Sequence, residues 1–150
     1  MKLLALDTNL MVFFCIASAD EKHIGEHKRI SNYTSSDFEY LKDAVGQVDG
    51  LVSTPYAMAE VSNLLNISEK RRIDFKILAQ FRGLVECSFE LPVSSRHCIE
   101  LSEFATLGLT DVAWLEYLDD NTVLLSTDEP LISYARSMGK MAELFCPSNQ

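Results

Sequence analysis

Three apolar runs in this chain lack the alternation of a strand with one wet face: KLLAL at Lys2–Leu6, GLVST at Gly50–Thr54 and TVLLS at Thr122–Ser126. A strand without alternation is covered on both sides, as in a parallel sheet packed between helices. Helical signals fall between the runs, as that architecture requires. Leu10–Ala17 reads as a helix, and Ser18–Ser35 as a polar, exposed excursion without pattern. Ser36-Asp37-Phe38-Glu39 forms a capping box that opens a helix to about Val48. Gly50–Thr54 is a strand, and Thr54-Pro55 supplies an N-cap and a proline for a helix through Met58, Glu60 and Leu65.

The second half repeats the scheme. A helix is expected from about Ser68 to Phe81, then a strand in LVECSF, Leu84–Phe89. Ser94 or Ser95 caps a helix to about Thr106, which Gly108 breaks. Thr110 caps the next, through Trp114 and Leu118. After the strand Thr122–Ser126, Ser126-x-x-Glu129 is a capping box for a helix to Met138, and AELFC, Ala142–Cys146, is a fifth strand. No internal repeat, low-complexity tract or linker interrupts the chain. The expectation is one α/β domain over residues 1–150, with a five-stranded parallel sheet between two helical layers.

Composition sets limits on function. A chain with 47% apolar and 23% charged residues is typical of soluble globular domains. Its formal net charge of −9 repels nucleic acid at long range unless a basic patch or a bound cation reverses the local field. Lys2, the apolar run and Ala17-Ser18-Ala19 loosely imitate a secretory signal, but Asp7 and Asn9 interrupt its apolar region. The expectation is a cytoplasmic protein without a membrane span. Cys15, Cys87, Cys98 and Cys146 are scattered with no C-x-x-C pair, which fits reduced thiols better than disulfides or zinc.

Ligands of open parallel sheets bind outside the carboxyl ends of the strands. Asp7 ends the first strand, and Asp128 lies just past the fourth. Glu60 falls within the apolar stripe of Ala57, Val61, Leu64 and Leu65, and Asp111 precedes Leu115 and Leu118 at helical spacing. Both sit near the starts of their helices. All four acids are thus expected at one edge, each among apolar neighbours. Each has a plainer explanation alone: helix-dipole stabilisation or capping for Asp111, Asp128 and Asp7, and an ion pair for Glu60. Together they form a cluster that cannot ionise fully unaided. Oxygen donors without Cys or His suit one or two Mg²⁺ or Mn²⁺ ions. Such an ion polarises a phosphoryl oxygen and lowers the pKa of an attacking water.

Four segments, LLALDTNLMV, STPYAMAEVSNLL, GLTDVAWLEY and TVLLSTDEPLI, together resemble the PIN-domain family in order and spacing. The resemblance implies a PIN fold and a Mg²⁺- or Mn²⁺-dependent endoribonuclease. It assigns metal binding and catalysis to Asp7, Glu60, Asp111 and Asp128. Thr8, Asn9 and Ser126 would support them, Asn9 through hydrogen bonds that orient the acids. Bacterial PIN proteins of this size resemble VapC-type toxins, which implies an antitoxin partner and a homodimer. The 18–35 excursion is long for a compact toxin. The expected effect of Asp7→Asn is loss of cleavage with the fold intact. The alternatives are a catalytically silent PIN module that binds RNA or a partner protein, and a receiver-like phosphoryl-transfer protein.

Other motifs have less to offer. HIGEH, His23–His27, matches a zinc-protease pattern, but Gly25 interrupts it and it has no apolar face. That loop is locally basic through Lys22, Lys28 and Arg29, and Lys70, Arg71 and Arg72 form a second basic cluster. Both are candidate contacts for an RNA backbone. Trp114 and Phe13-Phe14 read as core or dimer interface rather than base-stacking surfaces.

Overall fold

The computed structural model describes residues 1–68 and 71–148. The strands are β1 Leu3–Leu6, β2 Gly50–Ser53, β3 Ser88–Glu90, β4 Thr122–Ser126 and β5 Ala142–Leu144. The helices are α1 Thr8–Ala19, α2 Ser35–Gly46, α3 Pro55–Leu65, α4 Arg72–Cys87, α5 Ser95–Cys98, α6 Phe104–Leu107, α7 Leu109–Tyr117 and α8 Glu129–Ser137. Short 3-10 turns occupy Glu21–His23 and Lys28–Ile30. Among the described residues, no helix is long and apolar enough to cross a membrane.

All strand pairs are parallel, in the order β3-β2-β1-β4-β5, with helices on both faces. This is the expected three-layer α/β/α sandwich. Its central strand is β1, paired Leu3 to Gly50 on one side and Leu3 to Thr122 on the other. All of β1 is buried, which explains its unbroken apolar sequence. The chain builds outward through β2 and β3, then crosses to the opposite side of β1 for β4. That reversal opens a crevice between the carboxyl ends of β1 and β4, where ligands of such sheets bind.

Several boundaries differ from expectation, each for a physical reason. Leu84–Cys87 is helix, and only Ser88–Glu90 is strand. The stripe Ile73, Ile77, Phe81 and Leu84 packs on the core at helical spacing, so α4 runs on through Gly83. The capping box of α2 is Thr34 with Asp37, not Ser36 with Glu39. The helix expected from Ser95 to about Thr106 is two short pieces, with Ile99 exposed between them. Gly108 adopts φ 82° there, a left-handed value that favours glycine, and α7 starts directly after it. Thr110 therefore lies inside α7 rather than capping it. The cap of α8 is Asp128, one residue before Glu129, in place of the Ser126 box.

The 18–35 excursion is more ordered than its composition suggests. Ile30 and Tyr33 are buried, and the Tyr33 ring stacks on Phe13 with centroids 4.0 Å apart. Phe13 and Trp114 are fully buried and Phe14 half-buried, as core residues. Cys15 and Cys98 are buried, Cys87 and Cys146 exposed, and all four are free thiols. Burial pushes the Cys15 thiol up to about 12.

Candidate functional site

Asp7 ends β1 with its backbone N–H still in the ladder, donating to the Leu125 carbonyl at 3.0 Å. Its side chain is only 5% exposed and accepts from two directions. Oδ1 takes the Leu10 N–H at 2.8 Å and so caps α1. Oδ2 takes the Ser126 hydroxyl, the Thr127 N–H at 2.8 Å and the Thr127 hydroxyl at 3.4 Å. One carboxylate thereby ties the start of α1 to the end of β4. Burial raises its pKa, and these hydrogen bonds work against the rise.

The same bonds bear on the expectation that Asp7→Asn leaves the fold intact. An amide offers one acceptor oxygen and an NH₂ group. If the oxygen keeps the Leu10 cap, the NH₂ meets the Ser126 and Thr127 donors. On these bonds Asp7→Asn is expected to weaken the junction of α1 with β4.

The other three acids belong to the same electrostatic neighbourhood. Ser126 accepts from the Asp128 N–H at 2.9 Å while donating to Asp7. Asp128 caps α8 through the Leu131 N–H at 2.9 Å. Glu60, on α3, accepts the Thr110 hydroxyl at 2.8 Å, which joins α3 to α7. Asp111 follows Thr110 in the first turn of α7. Its carboxyl is pushed up to about 7, first by burial, then by the charges of Asp128, Asp7 and Glu60. Among the described residues, none of the four acids has an ion pair with a lysine or arginine.

The four acids thus share one electrostatic site, but their burial differs from expectation. Asp7 is buried and Asp111 half-buried, whereas Glu60 and Asp128 are exposed. Glu60 lies on the rim of its stripe, because Ala57, Met58, Val61 and Leu65 already fill the buried side of α3. Both capping explanations are real for Asp7 and Asp128, but capping does not account for the repulsion centred on Asp111.

Of the expected supporting residues, Ser126 bridges two acids, and Asn9 donates to the Thr127 hydroxyl at 3.5 Å. Thr8 is buried at the start of α1. Two supports were missed. Thr127 donates twice to Asp7, and Thr110 orients Glu60. Thr127 could have been found from its place between Ser126 and Asp128. The helix-start position of Thr110 pointed to a cap instead.

The donor set fits a hard divalent cation: oxygen atoms only, four acidic groups, and one of them driven towards protonation by burial and by the charges of the others. Among the described residues, no three His, Cys, Asp or Glu side chains stand as a ready-made chelate. The two histidines of HIGEH belong to different 3-10 turns. His23 lies in one 3-10 turn, and His27 caps the other by accepting the Arg29 N–H at 3.2 Å.

The two basic clusters converge. Burial, then the charges of His23, Arg71 and Arg29, keep His27 below its usual pKa, so residues of both clusters lie around it. Lys22, Lys28, Arg29, Arg71 and Arg72 are exposed, and Arg71 is tied to Asp74 at 3.0 Å. Lys70 lies outside the described residues. Compared with protein-family models and with curated proteins, the chain matches none.

Proposed function

We propose that this chain is a PIN-like endoribonuclease that hydrolyses RNA phosphodiester bonds with Mg²⁺ or Mn²⁺, acting in the cytoplasm. The observation that supports it best is the grouping of four acids at the β1/β4 crevice, where burial and then the charges of Asp128, Asp7 and Glu60 push Asp111 up to about 7, and where, among the described residues, no lysine or arginine is paired to any of the four. Asp7, Glu60, Asp111 and Asp128 would hold one or two ions. Bound there, the ion would supply Lewis-acid polarisation of the phosphate and a more acidic water.

The chain's own residues do the positioning. Ser126 and Thr127 fix the Asp7 carboxylate, Thr110 fixes Glu60, and the capping bond to Leu131 fixes Asp128. Among the described residues, Asp111 has no hydrogen-bond or ion-pair partner that fixes its carboxyl, which leaves it to take up positive charge. A toxin role, with an antitoxin that blocks the site and a homodimer, is part of the same proposal and rests on the family resemblance.

The second reading is a silent PIN module that binds RNA or a protein, favoured by the lack of a ready-made chelate among the described residues. The test is cleavage of a mixed RNA pool in Mn²⁺ by the wild type and by Asp111→Asn, chosen because its carboxylate supports no cap. Cleavage by the wild type alone is expected. Equal cleavage by both would overturn the nuclease site. No cleavage by either, with RNA affinity indifferent to Mn²⁺, would establish the silent module.

A further inference from the structure

Beside the acid cluster lies a second, open cleft of about 320 Å³, lined by Asn9, Arg29, Asn32, Tyr33, Thr127 and Pro147. Its lining is mostly polar and contains one full positive charge, on a chain of net charge −9. Three remote segments build it around the start of α1. The 18–35 excursion brings Arg29 and Asn32, and the buried Tyr33 stacks on Phe13 and anchors them. The tail brings Pro147, held next to Ser148, which donates to Asp37 through its N–H at 3.1 Å and its hydroxyl at 2.6 Å. Asn9 and Thr127 form the side shared with the acids, since Asn9 donates to Thr127 and Thr127 donates to Asp7.

From this arrangement we infer that the cleft is a subsite for a backbone phosphate of single-stranded RNA flanking the one to be cleaved, with Arg29 as its charged contact and Asn9 and Asn32 as neutral donors. The inference rests on the nuclease reading for its substrate. An arginine fork suits a phosphate, and amide NH₂ groups add donors without charge. Thr127 is the link between the two sites, one donor set reaching Asp7 and the other side facing the cleft. Arg29 and Arg71 both act on His27, so a second guanidinium, paired with Asp74 at 3.0 Å, stands in the same neighbourhood as Arg29. This also answers the charge objection. The chain repels RNA as a whole but sets the Arg29 guanidinium in the lining of the cleft beside the site.

The test is binding of a short fluorescein-labelled single-stranded RNA of random sequence, measured by anisotropy in Ca²⁺ at several salt concentrations. Wild type is compared with Arg29→Ala, Arg29→Lys, Asn32→Ala and Lys2→Ala. Lys2 is the control, because it precedes β1 at the opposite edge of the sheet. Arg29→Ala should weaken binding roughly tenfold, as for one exposed charge-assisted contact. It should also lower the slope of log K against log salt by about 0.7, one phosphate's worth on a single strand. Arg29→Lys should restore the slope, Asn32→Ala should weaken binding with the slope unchanged, and Lys2→Ala should match the wild type.

Arg29 is exposed, so these substitutions leave the core intact. Wild-type affinity and slope in Arg29→Ala would overturn the subsite. If the wild type still cleaved RNA while Asp111→Asn did not, the subsite alone would fall and the nuclease would stand. A wild type that neither bound nor cut RNA would overturn both.

Discussion

Asp111 shows how a single residue can record a missing counter-charge. Its carboxyl titrates at about 7 in the fold and near 3.8 in an unfolded chain. Between those values the folded protein holds the extra proton, so stability of the metal-free protein falls as pH rises from about 4 to about 7. Asp7, also raised by burial, acts with the same sign. Asp111→Asn should flatten that slope and, without divalent ions, stabilise the protein at pH 7 by on the order of 1–3 kcal/mol. Thermal unfolding in EDTA, followed through Trp114 fluorescence, checks this. Added Mn²⁺ should raise the wild-type midpoint and leave that of Asp111→Asn nearly still. Ser126 carries the opposite kind of role. Ser126→Ala removes the donor to Asp7 and the acceptor of the Asp128 N–H together, in a fully buried position. Denaturant unfolding should show a loss of roughly 1–3 kcal/mol, since both partners are left short of a bond.

At the scale of elements, the apolar strands and their caps were legible, and the irregular segments less so. TVLLS is strand from Thr122 to Ser126, as read, because every residue in it is buried or half-buried and the run has no competing helical stripe. Thr54-Pro55 starts α3 as read, with the Thr54 hydroxyl accepting the Ala57 N–H at 3.1 Å. The edge strand β3 was misplaced because its Phe89 and Glu90 are exposed, so burial writes little pattern there. The second basic cluster joined the first only in three dimensions, a contact that no local spacing encodes. Thr54→Ala should cost about 1 kcal/mol or a little more in stability, the usual worth of an N-cap. Since α3 also carries Glu60, the same variant should weaken Mn²⁺ binding more than its loss of stability alone would. Calorimetric titration of the folded variant tests that.

For the molecule as a whole, the reversal of strand order matters more than any one motif. It places the end of β1 against the end of β4, and the acids of four separate segments meet there. The position of Asp7 at a strand end was readable from local sequence, and its partnership with Ser126 and Thr127, more than a hundred residues away, was not. Synthesis from the amino terminus gives that arrangement a timing. The middle strand is the first made, but its second neighbour emerges only at Thr122–Ser126. Until then a growing chain has Asp7 without the hydroxyls that aim it, and no Asp128 at all. Ribosome-held chains stopped before residue 122 should therefore take up no divalent ion at this site, however long they wait, while chains released beyond residue 148 should. Uptake by the shorter chains would show that the cluster assembles without β4. On this topology the four acids come together only when β4 joins β1, so the proposed ion site and the sheet are completed almost in the same step.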